Sequence, residues 1–221
     1  MIIVIDGPAG SGKSSTAKEI ANRLNIQFLD SGALYRAVTF YWITSEKPDI
    51  RSFIKLLPEV ELSSEYKNRT FYVKLNGNDI TDEIRTQRVA EHVSEVAMQP
   101  EVRAFVNRHM RNLVVNDVYI ADGRDLGTAV FPDAQIKFYM TASIEERAKR
   151  RLKEMQQSDA EITLKDVMNN IRQRDQKDQN RASDPLKKAD DAIEIDTTGK
   201  TFDEQISDMI TIIENKIKLN H

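Results

Sequence analysis

Gly7-Pro8-Ala9-Gly10-Ser11-Gly12-Lys13-Ser14, near the start of the chain, constrains what it can fold into more than any other segment. These residues match G-x-x-x-x-G-K-[ST] in full. They stand between a short β-branched run at 1–5, which reads as a buried strand, and a stretch at 14–24 with apolar residues at helical spacing. Strand, glycine-rich turn and helix in that order give each residue type a chemical reason. Glycines let backbone N–H groups converge on phosphate oxygens with no Cβ in the way. The helix that follows presents its positive amino end to the anion. The Lys13 ammonium is expected to reach the β- and γ-phosphates of a bound ATP, and the Ser14 hydroxyl to bind Mg2+. Gly7, Pro8, Ala9, Gly10, Ser11, Gly12 and Ser15 complete the expected ATP-binding loop.

Further strands are expected at 26–29, 118–121, 136–140 and 192–195, and helices at 33–43, 84–114, 143–155 and 163–179. Thr201 and Glu204 form a capping box for a terminal helix. Residues 57–82 differ: 60–63 alternates, 71–75 is strand-like, and Asn76-Gly77 is a strong hairpin signal. The fold class is therefore α/β, a doubly wound, mainly parallel sheet into which a small antiparallel sheet is inserted. Ligands of such a sheet bind at the carboxyl ends of its strands.

Composition removes other classes. A net charge of −3 over 221 residues argues against a general grip on nucleic acid or an anionic membrane. With no cysteine, disulfides, thiolate chemistry and Cys-type zinc sites are excluded. The apolar run at 2–5 ends at Asp6, too short for a signal segment or a span, and no window approaches about 18 apolar residues. A soluble, cytoplasmic and monomeric protein is expected. A GTPase switch is disfavoured: the Asn215-Lys216 pair is followed by Ile217-Lys218 rather than x-Asp, and the D-x-x-G match at 196–199 comes too late in the chain.

Three clusters lie where a second, acceptor nucleotide would need them. Asp30-Ser31-Gly32-Ala33-Leu34-Tyr35-Arg36 follows the second strand, and Asp122-Gly123-Arg124-Asp125-Leu126-Gly127-Thr128 follows the third. Arg174, Asp178 and Arg181 share one face of a polar helix. With these motifs, and with DEIRTQ at 82–87, SEVAMQPEVR at 94–103 and ASIEERAKRR at 142–151, the whole chain resembles the bacterial cytidylate kinases, P-loop kinases of the nucleoside monophosphate group.

The resemblance implies a P-loop core over 1–36, 85–150 and 188–221, an inserted acceptor-binding segment over 37–84, and a helical lid over 151–187. It implies that Arg36, Arg124 and Arg181 clamp the acceptor phosphate, with Ser31 nearby. Ser94, Arg103 and Asp125 would read the cytosine edge, and Arg174 and Asp178 would face the sugar. Arg147, Arg150 and Arg151 would contact the ATP phosphates, with Lys13, Arg124, Arg151 and Arg181 as the catalytic cations. Asp122 would support Mg2+ through water. Lys177 and Gln179 stand where relatives often carry arginine.

Cytosine chemistry fits this assignment: a carboxylate accepts from the exocyclic amine while an arginine donates to N3 and O2, and uracil reverses that polarity. CMP and dCMP are the expected acceptors. UMP, shikimate, or a non-catalytic nucleotide-binding role are the alternatives on sequence alone. Each charged residue also has a plainer reading. Arg174, Asp178 and Arg181 could be a solvated ladder, and Asp125 or Ser31 a helix cap. Arg147, Arg150 and Arg151 could pair with Glu145, Glu146 and Glu154.

Overall fold

β1 (Ile2–Asp6) is buried along its whole length, which is why it reads as a continuous β-branched run rather than an alternating one. The structure, a computed structural model, describes residues 1–45, 49–155 and 162–218. Residues 46–48 of the expected insertion, 156–161 of the expected lid, and the side chain of Glu154 lie outside the described residues.

After the glycine-rich loop come α1 (Lys13–Leu24) and β2 (Gln27–Asp30), then α2 (Ser31–Thr44) and the short α3 (Ile50–Ile54). β3 (Leu62–Lys67), β4 (Thr70–Leu75) and β5 (Asn78–Asp79) form the small sheet, and α4 (Gln87–Ala97) and α5 (Pro100–Leu113) return to the main body. β6 (Tyr119–Asp122) leads into a π-helical turn at Leu126–Val130, followed by β7 (Ile136–Thr141). The chain ends with α6 (Ile144–Met155), α7 (Leu164–Gln179), β8 (Ile193–Asp196) and α8 (Phe202–Lys218).

The main sheet has the order β2-β6-β1-β7-β8, and every neighbouring pair is parallel. Register brings three carboxylates to one edge. Asp30 of β2 and Ile5 of β1 both stand beside Asp122 of β6, so Asp6 is one residue beyond. That edge is the carboxyl end of the central strands, where the topology reverses.

In the small sheet, β4 buries Phe71, Val73 and Leu75 in strict alternation. Its turn to β5 is the expected Asn76-Gly77, with φ of +49° and +80°. The turn between β3 and β4 is Asn68-Arg69, at +51° and +61°, a conformation that an arginine does not advertise in sequence. Phe28 of β2 meets Tyr66 edge-on at 5.7 Å and Phe71 at 6.2 Å. One apolar cluster accordingly runs from the main sheet into the small one. α6 and α7 instead share a separate cluster centred on Ala148, Val167 and Ile171. Capping follows sequence at the expected box, Thr201 with Glu204, and a second box, Thr163 with Asp166, starts α7. No helix among the described residues is long and apolar enough to cross a membrane.

Candidate active site

The phosphate loop takes its shape from glycines. Gly7 has φ +149°, and a Cβ there would lie 2.1 Å from the Met140 carbonyl oxygen of β7, so no side chain fits. Gly12 caps α1 in a left-handed conformation with no side-chain cap, which leaves the first-turn N–H groups for an external anion. Lys13 is only 4% exposed. Its ammonium donates to Pro8 O at 2.6 Å and to Ser11 Oγ at 3.2 Å. Burial, reinforced by the charge of Arg124, holds it well below the usual lysine range.

Behind the loop, Ser14 Oγ donates to Asp122 Oδ2 at 2.5 Å. Asp122 Oδ1 is buried with no hydrogen-bonding partner. Burial first, and Asp30 second, push the Asp122 carboxyl up to about 6. Asp30 caps α2, accepting from the Ala33 N–H at 2.8 Å. Ser31 is therefore not the cap: its hydroxyl donates to the Asp122 carbonyl at 2.6 Å, tying α2 to β6. Asp6 accepts from the Leu126 and Gly127 N–H groups at 2.9 and 2.7 Å, one on each oxygen, and so fixes the loop that carries Arg124 and Asp125.

On the acceptor side, Arg36 Nη1 is buried and unpartnered. Arg124 donates from Nε to Asp178 Oδ2 at 3.0 Å. Arg174 lies close enough to both arginines, and to Arg151, that burial and their charges lower it to about 10. Lys13, Arg36, Arg124 and Arg174 thus converge; among the described residues Asp178 pairs with Arg124, and Asp6 and Asp122 act on Lys13.

Farther out, Arg103 is 1% exposed and is held by two carboxylates, Nη2 on Asp125 and Nε on Asp184 Oδ2 at 2.9 Å. Nη1 donates to Ala97 O at 3.3 Å, and the guanidinium lies over the Tyr35 ring at 5.4 Å. Arg181 Nη2 reaches the other Asp125 oxygen at 3.5 Å. Burial keeps the Asp125 carboxyl above its usual range against the pull of Arg103 and Arg181. Asp125 therefore serves as an ion-pair centre, and no helix-capping bond from its side chain is present. Ser94 is half-buried on α4, one turn before Ala97.

The expected donor arginines divide. Arg147 donates to Ala9 O, Ala142 O and Asp175, and Arg150 to Ser11 O and to both oxygens of Thr197. Both thus brace the loop, and Arg150 also pairs with Glu146 as the plainer reading had it. Beside them, an open pocket is lined by Gly12, Ser15, Arg150, Arg151, Gln205 and the 46%-exposed Phe202. Its position against the loop suits the nucleoside of a donor nucleotide. Sequence reasoning missed Asp6, Asp175, Asp184, Tyr35 and Phe202. Asp6 abuts the glycine-rich motif, Tyr35 sits inside the 30–36 cluster and Asp175 lies between Arg174 and Asp178, and each takes its role only from what it touches; Asp184 and Phe202 stand in no motif.

Ser14 and the orphaned Asp122 Oδ1 fit a divalent cation. Among the described residues no group of His, Cys, Asp and Glu is clustered to hold a metal alone, so phosphate oxygens would have to complete its shell.

A family model described as Cytidylate kinase matches residues 3–215. An uncharacterized protein from Eubacterium ventriosum ATCC 27560 superposes with a TM-score of 0.55 at 14% identity, covering 97% of this chain and 98% of that one. TT1252 from Thermus thermophilus gives 0.49 at 16% identity over 98% and 97%. The first of these likenesses is one of fold alone.

Proposed function

This chain belongs to the cytidylate kinase family, a family of nucleoside monophosphate kinases, and from that premise we propose that it transfers the γ-phosphoryl group of ATP to CMP and dCMP. The observation that carries the proposal is the convergence of Lys13, Arg36, Arg124 and Arg174 between the phosphate loop and the Arg103–Asp125 pair. Lys13 and Arg174 are held low by burial and by the cations beside them, and with Arg36 Nη1 buried and unpartnered they fit a site completed by anions. Two phosphate groups, one from each nucleotide, would supply them.

In the reaction an oxygen of the acceptor phosphate forms a bond to the γ-phosphorus as the bond from that phosphorus to the β–γ bridging oxygen breaks. The products are ADP and CDP or dCDP. No general base is needed, since the attacking phosphate is already anionic. Arg36 and Arg124 orient that phosphate, and Lys13 with the neighbouring guanidiniums stabilises charge spreading over the transferred group. Lid arginine Arg151, whose charge is felt at Arg174, is assigned to the same transferring group. Ser14, with Asp122 through water, would hold Mg2+, which when bound neutralises the β- and γ-phosphates.

At the base, Asp125 accepts from the cytosine amine, Arg103 donates to N3 and O2, and Ser94 is assigned to the same edge; Arg181, expected at the acceptor phosphate, instead pairs with Asp125. Arg174 and Asp178 are assigned to the sugar, and Asp178 would release Arg124 when the acceptor phosphate arrives. Uracil would set a carbonyl against Asp125 and an N–H against Arg103, at about 1–3 kcal/mol for each mispaired group.

ADP release from ATP·Mg2+ with CMP, dCMP, UMP, AMP, GMP and shikimate offered in turn tests the reading. Turnover on CMP and dCMP well above UMP supports it. Equal kcat/KM for CMP and UMP removes the base-reading assignment, and no turnover on any acceptor removes the kinase.

A further inference from the structure

One residue of the phosphate loop is gripped at its N–H and at its carbonyl by the helix pair that follows β7. The Ala9 N–H donates to Asp175 Oδ1 on α7 at 2.8 Å, and the Ala9 carbonyl accepts from Arg147 Nη1 on α6 at 2.8 Å. The same Nη1 reaches Asp175 Oδ2 at 2.5 Å, while Arg147 Nε is anchored on Ala142 O at 3.1 Å. Both side chains are buried. The loop also lies flush against these helices: a Cβ on Gly10 would stand 3.1 Å from the Arg147 carbonyl and 3.4 Å from Ile171 Cδ1. The helix pair also has its own apolar cluster, centred on Ala148, Val167 and Ile171.

We propose that Asp175 and Arg147 are positioning residues for the donor nucleotide, setting the conformation of loop 7–12 according to where α6 and α7 stand. The inference rests on the loop being the ATP site. Arg147 then acts on the phosphates through the Ala9 peptide. A hydrogen-bonded carboxylate fixes the direction of an amide, but it also sets a negative charge next to a site that must take a polyanion. Arg147 neutralises that charge. The two residues therefore make unequal contributions with a defined sign. Loss of Arg147 alone leaves a buried, uncompensated anion beside the loop. Loss of both charges leaves an amide side chain that can still accept from the Ala9 N–H.

Calorimetric Kd for ATP·Mg2+, with KM for ATP and for CMP, is measured on wild type, Arg147→Met, Asp175→Asn and the double variant. Arg147→Met is expected to weaken ATP·Mg2+ binding by roughly tenfold or more, and Asp175→Asn by a few-fold. The double variant should bind more tightly than Arg147→Met. KM for CMP should stay within about twofold throughout. A double variant as weak as Arg147→Met or weaker, or a CMP KM that rises in step with that for ATP, overturns the proposal. Ligand-free thermal melts identify any variant that fails to fold. If Arg147→Met is one, Arg147→Lys replaces it: charge is kept but the fork spanning Ala9 O and Asp175 is lost, so an intermediate loss of ATP affinity is expected and none would overturn the proposal. Wild type that binds ATP·Mg2+ without turnover would refute the kinase reading while the Kd series still decides the positioning role. Wild type that does not bind ATP·Mg2+ would refute both.

Discussion

Asp122→Asn should make the ligand-free protein more stable and the enzyme far less active. Asp122 is 4% exposed, and its carboxyl is raised from 3.8 to about 6 by burial and by Asp30. That displacement corresponds to about 3 kcal/mol against the ionised form at neutral pH. Asparagine removes this penalty and can still accept from Ser14, although the bond becomes neutral and weakens by about 1 kcal/mol. The net gain is about 2 kcal/mol, or about 4–8 °C in Tm for a chain of this size. The pH dependence fixes the sign. The folded-state pKa is raised, so the folded wild type holds a proton between 3.8 and about 6 that the unfolded chain has lost. Its stability therefore falls as pH rises through that window, and the full cost applies above it. Thermal unfolding without nucleotide or metal should show the variant melting higher at pH 7.5, with the difference shrinking toward zero near pH 4. At pH 7.5 kcat/KM should drop by about 100-fold or more, because a phosphate-bound cation loses its carboxylate support. A variant that melts lower than wild type at pH 7.5, or by an equal margin at both pH values, refutes the reasoning.

Arg36→Met should raise KM for CMP by about tenfold or more with little effect on KM for ATP, and should not lower Tm, since the Nη1 it removes is buried without a partner. Phe202→Ala should raise KM for ATP by about fivefold and leave KM for CMP unchanged, the loss expected for one aromatic contact of about 1 kcal/mol over the donor pocket. Asp184→Asn removes the charged acceptor of Arg103 Nε, and CMP-over-UMP discrimination, read as the ratio of kcat/KM values, should fall by roughly tenfold.

The frame of the fold was legible because its signals are local. A buried β-branched run gives β1, Asn76-Gly77 gives one hairpin turn, and Thr201 with Glu204 gives the start of α8. The π-helical turn at Leu126–Val130 was not legible, since Asp6, more than a hundred residues earlier, sets it by accepting the first two N–H groups. α3, one short helix capped by Asp49, carries too little periodicity to be seen. Adjacent Asp30 and Ser31 are equally good caps in sequence, and only the structure decides that Asp30 accepts the bond while Ser31 turns to β6. Within the site, Arg36, Arg103, Arg124 and Asp125 could be singled out from their motifs. Asp175 was not: it is next to Arg174 but faces the phosphate loop rather than the acceptor, a difference of helix face that spacing alone cannot assign. Asp184 lies in a turn at φ +49° and reaches Arg103 across a sequence gap that no local pattern spans.

The edge-on contact of Phe28 with Tyr66 and Phe71 bears on how freely such a chain can be rearranged. By sequence the small sheet looks like an optional module spliced between two halves of an older fold. By packing it is the wall against which β2 is sealed: Phe28 and Phe71 are each 3% exposed, and Tyr66 is further pinned by its hydroxyl to Asn22 of α1. A shortened descendant lacking β3–β5 would have to present that face of Phe28 to water, or invent a replacement cover. Trimming, grafting or swapping this segment is thus a problem of rebuilding the central sheet's hydrophobic boundary, whereas the α6–α7 pair keeps its own apolar cluster and meets the phosphate loop through polar contacts.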